Sequence, residues 1–241
     1  MSELKLPTEV IELPSKGLVY SKDNPLSTGK VEMKYMTAKE EDILTNQSYI
    51  QNGTVFDKLL QSLIVSKINY DDLIVGDKNA LLVASRILGY GKDYTFTYDN
   101  QSYTVDLSQL ENKPFDESLI NEGSNSFAFE LPTTGVKLTF KILTTSDEKK
   151  IDAEIKGIQK INKNASPELT TRLKHLITSV NGDREAKTIR EFVDNHLLAR
   201  DSRALREYIR KIQPDVDLTF TSDSGEEVAI PVNLSFFWPD A

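Results

Sequence analysis

The sequence contains no cysteine. That absence removes disulfides, thiolate metal ligands and a thiol nucleophile together, and it suits a reducing cytoplasm. Imidazole is scarce: His175 and His196 are the only two histidines, and they are not at ligand spacing, so no metal site is expected. No apolar run approaches the roughly 18 residues that a membrane span needs. Residues 1–10 lack the apolar stretch of a secretory signal. Basic residues are outnumbered, 29 against 37 acidic, for a net charge of −8, which argues against a nucleic-acid coat. Hydrophobic residues at 39% and charged residues at 27% exclude a disordered chain. The 241 residues suffice for one large domain or two small ones, in a soluble protein made and used in a cytoplasm.

The period of the apolar residues changes along the chain. Residues 10–13 and 31–35 read as strands, the second alternating apolar and charged side chains. Thr37 and Glu40 have capping-box spacing and open a helix expected to end near Gln47. Phe56, Leu59, Leu60, Leu63 and Ile64 form one helical stripe. A third helix is expected from an Asp77 N-cap to Gly89. Residues 94–98 and 103–105 form a hairpin across Asp99-Asn100. Strands are expected at 127–129 and 136–143, helices at 146–161, 167–180, 184–198 and 202–212, and a closing hairpin at 216–221 and 228–234.

These elements repeat. Glu12-Leu13-Pro14-Ser15-Lys16-Gly17 returns as Glu130-Leu131-Pro132-Thr133-Thr134-Gly135, and Thr37-Ala38-Lys39-Glu40 as Thr145-Ser146-Asp147-Glu148. Leu63-Ile64 returns as Leu176-Ile177. Ala80-Leu81 and Thr95-Phe96-Thr97 return as Ala204-Leu205 and Thr219-Phe220-Thr221, both 124 residues later. The order is kept throughout, which reads as a tandem duplication of an α+β unit. Each unit holds an N-terminal strand region, a helical segment and a C-terminal β-hairpin. The expected boundaries are 1–110 for the first unit, a polar linker at 111–125, and 126–241 for the second.

Chemistry-bearing motifs are few. No phosphate loop, nucleophile elbow or His-Glu-x-x-His occurs. Acidic clusters such as Glu40-Glu41-Asp42 fall where helix starts favour negative charge. No catalytic residue, cofactor or small-molecule substrate is therefore expected. Two features suit partner binding instead. Arg203, Arg206 and Arg210 lie along one helical face, and Phe236, Phe237 and Trp238 put three large aromatics at the chain's end. Such aromatics either pack on the protein's own core or anchor a partner.

Leu13-Pro14-Ser15-Lys16-Gly17-Leu18-Val19-Tyr20, Gly29-Lys30-Val31-Glu32 and the run from Lys34-Tyr35-Met36-Thr37 to Asp42-Ile43-Leu44 resemble the opening of a known family. The family is that of the baseplate hub assembly proteins of T-even-like contractile-tailed bacteriophages. The ending, a hairpin followed by Phe236-Phe237-Trp238-Pro239, is similar too. The resemblance implies a late phage protein that promotes formation of the central baseplate hub, as an assembly chaperone or minor hub subunit. Its implied partners are baseplate hub or tape-measure proteins, and its implied location is the host cytoplasm during assembly or the virion tail. Two alternatives stand beside it: a carboxylate-dependent hydrolase, and a nucleic-acid-binding tail protein using the 200–211 face.

Overall fold

The computed structural model describes residues 6–222 and 224–237. Thr8–Glu12 (β1) and Lys30–Lys34 (β2) pair antiparallel, with Ile11 opposite Val31. The period of two sends Val31 and Met33 into the core and leaves Lys30 in solvent. Between the strands the chain turns at Gly17, whose φ of +81° favours glycine; a Cβ there would lie 2.3 Å from the Ser27 carbonyl oxygen.

Helix Ala38–Leu44 (α1) begins in the expected capping box, with the Thr37 backbone N–H donating to the Glu40 carboxylate at 2.9 Å. It stops before Gln47, because the Asn46 side chain accepts the Tyr49 N–H and starts a separate helix, Gln47–Asn52 (α2). Val55–Leu63 (α3) carries the expected apolar stripe, with Leu59, Leu60 and Leu63 buried. Val75–Tyr90 (α4) begins two residues before Asp77, which is therefore not the N-cap but a buried first-turn residue. Asp93–Tyr98 (β3) and Gln101–Asp106 (β4) form the expected hairpin, and its two turn residues, Asp99 and Asn100, both have positive φ.

The second half opens with Phe127–Glu130 (β5) and Lys137–Phe140 (β6), then Thr145–Ile161 (α5) and Glu168–Leu176 (α6). The helix cap is Thr144, one residue before the expected Thr145, and it is closed by Asp147. The helix expected over 167–180 ends at Leu176. Ile177–Val180 is a strand (β7) on the free edge of β6, pairing Phe140 with Ile177. Its β-branched residues favour that edge over another helical turn. Ala186–Asn195 (α7) and Ala199–Ile212 (α8) follow. The last hairpin is shorter than expected: Thr219–Thr221 (β8) and Glu227–Ala229 (β9). Pro231 has no N–H for the ladder, and Leu234–Phe237 (α9) is helical where a strand was expected at Leu234.

The architecture is α+β, with small antiparallel sheets set among helices around one continuous apolar core. The two halves meet closely. Leu73 accepts the Thr145 N–H at 2.7 Å, and a Cβ on Gly76 would lie 1.9 Å from the Pro214 carbonyl oxygen. Residues 111–125 contain one short 3-10 turn, Glu117–Leu119, and are fastened at both ends. The Asp116 N–H donates to the Lys211 carbonyl, the Gly123 N–H donates to that of Leu18, and Lys16 pairs with Glu117. Among the described residues no helix is long and apolar enough to cross a membrane.

Candidate interaction surface

The buried carboxylates hold backbone in place. Asp77 accepts the Ser15 N–H at 2.9 Å, the Ser15 hydroxyl at 2.7 Å and the Tyr20 hydroxyl at 2.6 Å, clasping the turn after β1 to the start of α4. Burial pushes its carboxyl up, against the downward pull of the Tyr20 and Ser15 donors. Asp201, at the start of α8, accepts the Thr133 and Thr134 N–H groups at 2.8 and 3.2 Å and clasps the turn after β5. Burial opposes its ionisation too, but its Thr133 and Thr134 donors outweigh that and hold the carboxyl low.

A second matched pair lies at the helix starts. Lys34 donates to Glu40 at 2.8 Å and Lys141 to Asp147 at 2.7 Å, each across a capping box. Burial opposes ionisation of Glu40, yet bonds from Lys34, Thr37 and Ser62 hold it at about 2. Glu41 of the same acidic run accepts the Tyr90 hydroxyl. His175 meets Glu154 at 3.0 Å, where Arg190 also binds, tying α5, α6 and α7 together. His196 follows α7 and is exposed. Among the described residues no three His, Cys, Asp or Glu side chains gather in a way that could hold a metal ion.

The C-terminal aromatics resolve one choice that the sequence left open. Phe236 and Phe237 are both 0% exposed, so the reading of these two as partner anchors is corrected: they are core residues. Phe237 lies 5.4 Å from Phe56 on α3, and Phe236 lies 4.8 Å edge-on to Tyr94 on β3. Burying two large rings is worth more than presenting them to water. Trp238 lies outside the described residues.

The lock on this segment is Arg86, which the sequence reading missed. Its side chain is buried near the end of α4 and donates to the carbonyls of Phe236, Gly91 and Asp93 at 2.6, 2.7 and 3.0 Å. The guanidinium thus satisfies the negative end of its own helix while holding α9 in place. Its five donors in a fixed fork suit three carbonyls converging from different segments. The only signal in the sequence was an arginine following the apolar run Ala80 to Ala84 and preceding Ile87-Leu88.

The arginines expected to form a docking face are indeed at the surface of α8, but they diverge. Arg203 is paired with Glu207 at 2.8 Å and is highly exposed. Arg206 and Arg210 turn toward α6 and rim an apolar groove of about 270 Å³, floored by Leu169, Leu173, Leu176 and Ile209. A second hollow of about 300 Å³ lies at the Lys16–Gly17 turn, and there Lys16 is already paired with Glu117. No protein family, curated protein or solved structure matches the chain.

Proposed function

We propose that this protein promotes assembly of the baseplate hub of a contractile-tailed phage, acting by protein–protein binding as a chaperone or minor hub subunit. The reading rests on the resemblance of residues 13–44 to that family. The observation that supports a binding role is how those residues are used. Ser15 and Tyr20 bind Asp77, while Lys34 and Thr37 bind Glu40, so the resembling block builds a scaffold. Work on a partner is then left to the outer faces. The proposed partners are hub or tape-measure proteins, and the proposed location is the infected cytoplasm or the finished tail.

The same reading takes the chain as a doubled α+β unit, with residues 111–125 joining 1–110 to 126–241. Three matched features support it. The Asp77 and Asp201 clasps stand 124 residues apart, as do Phe96 and Phe220, whose rings touch at 5.0 Å. The Lys34–Glu40 and Lys141–Asp147 pairs stand 107 residues apart.

Infection with a phage lacking this chain is the test. Tail fractions are expected to lack complete hubs, and supplying the chain in trans restores them. Complete baseplates at normal yield without it would refute the proposal.

A further inference from the structure

The two halves differ in what covers one groove. In the first half, α3 and α4 form a groove that α9 fills, with Phe237 on Phe56 and Arg86 on the Phe236 carbonyl. In the doubled plan, α6 corresponds to α3 and α8 to α4. Leu63-Ile64 aligns with Leu176-Ile177, which sets Leu169 at the place of Phe56 and Leu173 at that of Leu60. Ala80-Leu81 aligns with Ala204-Leu205, which sets Arg210 at the place of Arg86. Leu169 and Arg210 both line the groove between α6 and α8. That groove is the counterpart of the one filled by α9, and none of the described chain covers it. Leu169 is 47% exposed there, where Phe56 lies against a phenylalanine ring.

The lining also states a charge requirement. Arg206 stands where the first half has Leu82, and Arg172 also lines this groove, so three guanidinium groups border it. Arg172 is engaged by Glu148 and Glu168. Among the described residues neither Arg206 nor Arg210 has a carboxylate within ion-pairing distance: the Arg206 Nε donates to the Ser202 carbonyl at 3.3 Å, and Arg210 acts on the Glu207 carboxylate, already paired with Arg203, only at longer range.

We propose that the groove between α6 and α8 receives a short helical segment of another protein, one that carries two adjacent bulky apolar side chains and a carboxylate. The apolar pair lies on Leu169 and Leu173 as Phe237 lies on Phe56, and the carboxylate meets Arg206 and Arg210. This rests on the doubled-unit reading, and it supplies the contact surface that the proposed assembly role requires. Apolar anchors in a groove with charged rims concentrate binding energy in a few residues.

The test uses the full chain and a fluorescent peptide that repeats residues 230–237 and ends in two aspartates. Saturable binding is expected, with a Kd below about 1 mM. Leu169→Asp and Arg210→Glu, both at exposed positions, are each expected to weaken it at least about tenfold with an unchanged thermal midpoint. Arg203→Glu, off the groove, leaves binding unchanged. No saturation by about 1 mM, or equal binding by wild type, Leu169→Asp and Arg210→Glu, overturns the proposal. A dimer of the chain that both variants abolish also overturns it, because the groove then takes a second copy. Peptide binding is measured without phage, so its failure beside intact hub assembly refutes the groove alone. Binding beside normal baseplates in the deletion phage refutes the hub reading alone.

Discussion

Arg86 on α4 and Arg210 on α8 differ in their surroundings: one is sealed in the core and the other stands in solvent. The difference follows from what lies above them. Over Arg86 the chain places α9, whose carbonyl and two phenyl rings make burial of a guanidinium tolerable by satisfying its donors and excluding water. Over Arg210 it places nothing described, and the arginine keeps its hydration. A similar contrast holds for the clasps. Asp77 gathers a serine and a buried tyrosine, whereas Asp201 gathers two threonines on a turn nearer the surface. The groove beside Arg86 is thus closed by α9, while the groove beside Arg210 is open among the described residues.

The comparison can be broken most decisively at α9. Phe236→Ala removes a fully buried ring and is expected to cost about 3–5 kcal/mol in urea unfolding. A loss below about 1 kcal/mol would mean that α9 does not seal the first groove. Gly76→Ala is next. Its new methyl meets the Pro214 carbonyl, so a loss of about 3 kcal/mol is expected, near the upper end for overpacking. Arg200→Ala, at an exposed position in the first turn of α8, should be nearly neutral in the same measurement.

The clasps are separated by pH. Asp77→Asn is expected to cost about 2 kcal/mol at neutral pH, since it disturbs three buried hydrogen bonds that the carboxyl accepts. Burial raises the folded Asp77 value, so the fold holds its proton more tightly than the unfolded chain does. Acidification toward the ordinary carboxylate value of 3.8 therefore stabilises wild type relative to Asp77→Asn. Asp201 has the opposite sign. Its donors depress the folded value, so its contribution is complete above 3.8 and fades as pH falls below that. Unfolding curves for the two Asn variants between about pH 3 and pH 7 should diverge from wild type in opposite directions. The smallest expected effect is Arg203→Ala, which breaks an exposed pair and should leave the thermal midpoint unresolved from wild type.

Much of the fold was legible because local rules decide it. The Thr37–Glu40 box, the Leu59-Leu60-Leu63 stripe and the Asp99-Asn100 turn depend on neighbours a few residues away, and each stands where its spacing placed it. Residues 177–180 were misread because their apolar pattern fits a helix as well as a strand, and only the free edge of β6 breaks the tie. The groove between α6 and α8 was not legible: the spacing put Arg203, Arg206 and Arg210 on one face of a helix, but only packing against α6 sets Arg206 and Arg210 beside apolar side chains. Phe236 and Phe237 belong to the core.

By itself the sequence determined the α+β class, the Thr37–Glu40 cap and the approximate place of most helices, because hydrogen bonds and side-chain contacts three or four residues apart are written in its spacing. Tertiary structure alone decided where Arg86, Asp77 and the two C-terminal phenylalanines go. Their partners lie 57 to 181 residues away along the chain, with Asp77 on Tyr20, Arg86 on Phe236 and Phe237 on Phe56, and only folding brings such groups together to offset the cost of burying them.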